Sequence, residues 1–183
     1  MEQVIIQTAR LRLRPWRPED RAPFQALNAD PRVMAFFPSI LSAAESDALA
    51  ERCQGLIEQQ GWGFWAVECK ATQAFIGLLG LHAQPQALPF SPCVEIGWRL
   101  AHDCWGRGYA SEGATAALRF GFDRLGLGEI VAFTAVGNLR SRAVMARIGM
   151  REDSAAGFGH PSLPAGHPLH RHCLYRISAT APA

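Results

Sequence analysis

The stretch Gly106-Arg107-Gly108 has the residue types of a ligand-binding turn. It joins an apolar, strand-like run, VEIGWRL (94–100), to a helix-like run, ASEGATAALRFGF (110–122). Glycines at 106 and 108 let the backbone approach a ligand with no Cβ in the way. A helix starting here directs its unpaired N–H groups and the positive end of its dipole back at the turn. The product is an anion site, most naturally for a phosphate. Two familiar phosphate motifs are excluded. No lysine follows Gly108, as a P-loop requires, and Ser111 stands where a dinucleotide fingerprint carries a further Gly or Ala. Taken alone, the turn could equally bind nothing.

Other residues carry chemistry at suggestive spacings. Asn138 and Ser141 fall one helical turn apart at the start of NLRSRAVMARIGM, and Asn138 also suits a helix N-cap. Glu95 alternates with Val94 and Ile96, so its side chain points to the face opposite those apolar residues. Glu68 and Glu112 are weaker candidates for acid–base work, and Tyr109 and Tyr175 read as packing residues. His160, His167, His170 and His172 lie close together, but two precede prolines and the spacing matches no zinc pattern, so no metal is expected. A histidine of this loop touching a substrate is the stronger alternative.

These residues need a scaffold. RLRLRP alternates as a half-exposed first strand, and WRPEDRAPFQALNADP reads as a helix stopping near Asn28, before Pro31. A second helix is expected over about 43–60. WGFWAVEC and AFIGLLGLH form two strands about a turn at 70–73, followed by the proline-rich loop QPQALPFSP and the strand CVEIGWRL. A helix follows over about 109–124, ending at LGLG. EIVAFTAV, apolar on both faces, reads as a central buried strand. The helix NLRSRAVMARIG stops at Gly149, and after a loop rich in Gly, Pro and His, HCLYRIS is the last strand. The order implies one mixed α/β or α+β domain over 1–183.

Bulk properties narrow the class. With 18 basic and 16 acidic residues the net charge is +2, too even for a nucleic-acid footprint. Five scattered cysteines, none in C-x-x-C, suggest reduced thiols in a cytoplasmic protein. The N-terminus lacks the pattern of a signal peptide, and no apolar run approaches a membrane span.

The sequence resembles the GNAT acetyltransferases. Strand VEIGWRL, turn WGRGYA, helix, apolar strand and NLRSRAVMARIGM follow in that family's order, and the turn matches its Q/R-x-x-G-x-G/A pattern except for Trp105 at the first letter. TARLRLRPWRPEDRAPFQALNADPRVMAFF, GFWAVECKATQAFIGLLGL and RHCLYRI look like the RimJ/RimL type, which acetylates N-terminal amines of ribosomal proteins; the likeness spans roughly 8–177. The resemblance implies a twisted, mostly antiparallel sheet of about seven strands, splayed between the family's fourth and fifth. It implies acetyl-CoA as cosubstrate, with its pyrophosphate on the amides of Trp105, Gly106, Arg107, Gly108, Tyr109 and Ala110. The pantetheine arm would pair with Trp98, Arg99 and Leu100, where one backbone N–H faces the acetyl carbonyl. Asn138 would fix the pantetheine or its loop. Ser141 would lie near the sulfur as the acid for the leaving thiolate, since Met145 stands where many relatives carry a tyrosine. Glu95 would be the base, acting through a water, with Glu95→Gln most harmful at low pH. The acceptor is a primary amine, most simply a protein N-terminus. An antibiotic or polyamine acetyltransferase and a non-catalytic acyl-CoA sensor are the alternatives. No nucleic acid or membrane partner is implied, and monomer and homodimer both remain open.

Overall fold

The computed structural model describes residues 4–84 and 88–179. A mixed α/β fold is built on an eight-stranded, mostly antiparallel sheet. In chain order the elements are β1 (Ile6–Gln7), β2 (Leu11–Arg14), α1 (Arg21–Ala29), α2 (Ala43–Gln60), β3 (Phe64–Cys69), β4 (Phe75–Ala83), β5 (Val94–Leu100), α3 (Tyr109–Asp123), β6 (Glu129–Ala135), α4 (Leu139–Arg147), β7 (Arg151–Gly159) and β8 (Arg171–Ser178). The sheet order is β1-β2-β3-β4-β5-β6-β8-β7.

Two strands exceed the sequence expectation. β1 is a two-residue edge, and β7 occupies what reads as loop. β7 lacks alternation and is mostly exposed, and its pairing with β8 is broken between Asp153 and Phe158. Part of the proline-rich loop, residues 85–87, lies outside the described residues.

The register fixes which side chains share a face. Leu79 pairs with Trp98 and Leu81 with Ile96. A Cβ on Gly113 or Gly121 of α3 would meet Leu79 or Leu81, so the even-numbered residues of β5 face α3. Glu95, Gly97 and Arg99 face the opposite side, where Phe64 packs over Gly97 and α1 reaches Arg99. β5 and β6 are the parallel pair, and they pair at one position, Glu95 with Val131. All other neighbouring strands are antiparallel. The sheet therefore opens from Glu95 toward the C-terminal ends of β5 and β6, beneath the starts of α3 and α4. This is the expected splay, one strand later by this numbering.

Candidate active site at the opening between β5 and β6

The turn leading into α3 has the backbone that its glycines foretell. Gly106 and Gly108 have φ of +73° and +78°, a left-handed conformation that side-chain-bearing residues rarely adopt. Gly108 caps α3. A Cβ at Gly106 would meet nothing within 4 Å, and one at Gly108 only the Arg10 Nη2 at 3.5 Å. The space above the turn is thus open, and the first-turn amides of α3 point into it.

Arginines surround this N-terminus. Arg107 is exposed. Arg10 stacks over the Tyr109 ring at 4.7 Å and donates from Nη1 to the Arg107 carbonyl at 2.9 Å. Arg140 of α4 lies over the Trp105 ring at 4.8 Å, and Arg147 donates to the Ser111 hydroxyl at 3.2 Å. Trp105 is itself fixed by its indole N–H, which donates to the Leu100 carbonyl at 2.9 Å. Backbone amides, a helix dipole and four guanidiniums make a site for a polyanion larger than one phosphate. Arg10 and Arg140 come from distant parts of the chain, and no local spacing announces them.

The three candidate carboxylates have different surroundings. Glu112 accepts hydrogen bonds from the Thr8 hydroxyl at 2.6 Å, the Arg10 amide at 2.8 Å and the Arg10 Nε at 2.6 Å. Burial pushes its carboxyl up, but these donors outweigh burial and hold it below its usual value. Glu68 is buried beneath Arg12, Arg14 and Arg17, with contacts of 2.6, 2.8 and 3.3 Å. Burial raises its carboxyl as well, and the arginines again win. Both are committed structural anions. Glu95 has no cationic partner among the described residues; only the Gln84 amide reaches it, at 3.1 Å. Burial pushes its carboxyl up to about 7, against that hydrogen bond. A carboxyl of this kind exchanges a proton near neutral pH, and it sits at the apex of the opening.

On α4, the Asn138 side chain accepts from the Ser141 amide at 3.3 Å and donates to the Thr134 hydroxyl at 3.0 Å. It is an N-cap that also ties the helix to the end of β6. The Ser141 hydroxyl makes no hydrogen bond among the described residues and is partly buried. Met145 is a core residue, 3% exposed. Trp98, Arg99 and Leu100 lie on β5 where the opening widens, as their sequence positions suggest. Tyr109 contacts Arg10 and Cys69, and Tyr175 contacts Arg142 and Glu152, both in packing or tethering roles.

The far wall is aromatic. Phe133 of β6 meets Phe90 at 5.8 Å and Phe158 at 5.7 Å, and His160 and His172 lie 4.9 Å apart beside them. Burial keeps His160 and His172 below the ordinary histidine pKa, which favours neutral rings at neutral pH. The histidine loop folds on itself: His170 Nδ1 bonds the Leu163 carbonyl at 2.9 Å and His167 Nδ1 accepts from the Leu169 amide at 3.1 Å. Among the described residues no group of three His, Cys, Asp or Glu could hold a metal ion, and no helix is long and apolar enough to cross a membrane.

A strand, a glycine turn at a helix N-terminus and a sheet opened beside it are the parts on which the acetyltransferase (GNAT) domain is built. The chain belongs to the GNAT family: a family model described as an acetyltransferase (GNAT) domain matches residues 10–151, and the protein is an N-acetyltransferase of that kind. It is 33% identical over 157 residues to the FsC-acetyl coenzyme A-N(2)-transacetylase of Aspergillus fumigatus, covering 81% of this chain and 65% of that protein. An acetyltransferase structure from Agrobacterium tumefaciens superposes with a TM-score of 0.79 at 26% identity, covering 98% and 96% of the two chains. A RimL ribosomal-protein alpha-N-acetyltransferase solved with coenzyme A has a TM-score of 0.74 at 18% identity, covering 96% and 98%, a likeness of fold.

Proposed function

We propose that this protein transfers acetyl from acetyl-CoA to an N-terminal α-amine by direct attack in a ternary complex. Glu95 carries the reading: it is the one candidate carboxylate free of cationic partners, at the apex of the β5–β6 opening, with a pKa of about 7. The open space over Gly106 and Gly108 and its arginine rim fit a CoA pyrophosphate. Trp105 to Ala110 would hold it, with Trp98 to Leu100 and Asn138 along the pantetheine. Acetyl-CoA supplies an electrophilic thioester carbonyl. Glu95, through a water, takes the proton that the neutral amine sheds as it attacks the carbonyl carbon. A backbone N–H of Trp98 to Leu100 faces the carbonyl oxygen as negative charge builds. Ser141 protonates the leaving thiolate. The five free cysteines suit a reducing, cytoplasmic setting.

A base near 7 suits an α-amine. With a pKa of 7.7–8.0, about a quarter of such an amine is neutral near pH 7.5, against about one part in a thousand of a lysine amine. Thiol release with a peptide bearing a free N-terminal Ala or Ser should exceed that with the same peptide N-blocked and carrying a free lysine by about a hundredfold. Faster turnover of the blocked peptide overturns the assignment. Turnover of neither, while a polyamine or aminoglycoside reacts, promotes the small-molecule reading. Acetyl-CoA binding with no turnover of any amine leaves a sensor.

Ser141→Ala should lower kcat roughly tenfold with little change in the Kd of acetyl-CoA. A thiolate needs only modest acid help, so an unchanged kcat with the chemical step rate-limiting removes Ser141 from the mechanism.

A further inference from the structure

Arg99 is a half-buried cation without a counter-ion among the described residues. Its Nη1 donates to the Asn28 side-chain oxygen at 2.6 Å, and its guanidinium stacks on the Phe37 ring at 4.0 Å. Among the described residues no carboxylate lies within ion-pairing distance, and the neighbouring Cys53 thiol, pushed up to about 11 by burial, is uncharged at neutral pH. Its Nε is buried with no partner. Its Nη2 makes no hydrogen bond among the described residues and is not sealed from solvent. Nε and Nη2 are the two donors of one side of the guanidinium fork, the pair that grips a carboxylate bidentately. Asn28 and Phe37 hold the plane in place; Nε is sealed within the protein, and Nη2 is the donor left open on that side. Burial draws the guanidinium down to about 10, still charged at neutral pH. A fixed, desolvated charge with two idle donors is destabilising unless an anion joins it.

The position says which molecule brings the anion. Arg99 shares a sheet face with Glu95, four residues away, about 13 Å along the strand. Glu95 is therefore too far to neutralise it, and the two groups bracket one stretch of the face. The turn before α3 serves the other end of the opening, and α3 covers the opposite face of β5. Phosphates seated at that helix N-terminus lie toward the face of β5 that α3 covers, and the guanidinium lies on the other. What remains is the acceptor.

We infer that Arg99, held by Asn28 and Phe37, binds a carboxylate of the acceptor, so that the amine acetylated here belongs to a molecule carrying a carboxylate. The inference rests on the acetyl-transfer reading and adds the acceptor's second functional group. Two sources share that chemistry: an acidic side chain near a peptide N-terminus, and the carboxylate of a free amino acid.

The experiment uses acid–amide pairs in both arms. One arm compares Asp-Ala-Ala-amide with Asn-Ala-Ala-amide; the other compares free amino acids with their amides. Thiol release gives KM, and calorimetric titration of the CoA-loaded protein gives Kd independently of turnover. In at least one arm the acid should bind about tenfold or more tightly than its amide. The second variable is Asn28→Asp, which places a carboxylate on Nη1 in cis with little change of shape. It should raise the melting temperature and reduce the acid–amide ratio to within about twofold; Arg99→Gln should erase the ratio as well. Equal binding of acid and amide by the wild type in both arms overturns the inference, as does a preference that survives in folded Asn28→Asp. Turnover of amides without acid preference leaves acetyl transfer standing and removes the role of Arg99. Acid-selective binding without thiol release does the reverse.

Discussion

Glu95→Gln is expected to lower kcat/KM about a hundredfold at pH 8, within the usual range for loss of a general base. The effect should shrink on acidification. Glu95 has its carboxyl raised to about 7, so below pH 6 less than about a tenth of it is ionised and the wild type has lost most of its base. This reverses the sequence expectation of greatest harm at low pH, which assumed a carboxylate with its ordinary pKa. In the wild type both the base and the amine must shed a proton, so log kcat/KM should rise with a slope approaching two below pH 7. In the variant only the amine titrates, and the slope should be one. Stability should move oppositely. A raised carboxyl pKa means the folded state holds its proton more tightly, so stability is full below the unfolded value near 4.5 and is lost as pH rises through about 7. The glutamine has no such loss, and its Tm at pH 8 should exceed the wild type's by roughly 5 °C. Equal activities at pH 8, or a slope of two in the variant, would remove Glu95 from the role.

Gly108→Val is expected to weaken acetyl-CoA binding by about a hundredfold or more while the protein remains folded. A Cβ at 108 would collide with nothing in the protein, so the harm falls on the ligand's space rather than on packing. The φ of +78° adds strain, on the order of 1–2 kcal/mol for a residue with a Cβ, which relaxation of the turn would relieve by turning its amides away. Calorimetry with CoA, beside a melting curve, checks both parts. A folded variant that binds CoA as the wild type does would show that the turn holds no phosphate.

Much of the scaffold was legible because its signals are local. The cap of α4, the alternating sequence of β2 and the double-sided apolarity of β6 each arise within a few residues. β7 was not, because a strand of mostly exposed, small residues is stabilised by its partner β8 rather than by its own pattern. The site divides the same way. The glycine turn, Glu95 and Asn138 were readable by type and spacing. Their electrostatics were not: whether Glu68, Glu95 or Glu112 is free to titrate depends on which arginines the fold brings, and Arg10 lies some hundred residues from Glu112. Arg99 was chosen for its backbone, and its side chain has the more specific surroundings.

The lone pairing of Glu95 with Val131 also bears on how the chain assembles. On one side of it lie β1 to β5, laid down in sequence order as an antiparallel meander; on the other lie β6, β8 and β7, closed by their own ladders. Each set can form its pairings without the other, and each spans a contiguous stretch of chain. Joining them requires the parallel crossover through α3, which closes a long loop for very little strand pairing. The two sets should therefore acquire hydrogen-exchange protection as separate cooperative units, with the junction last to form and first to open.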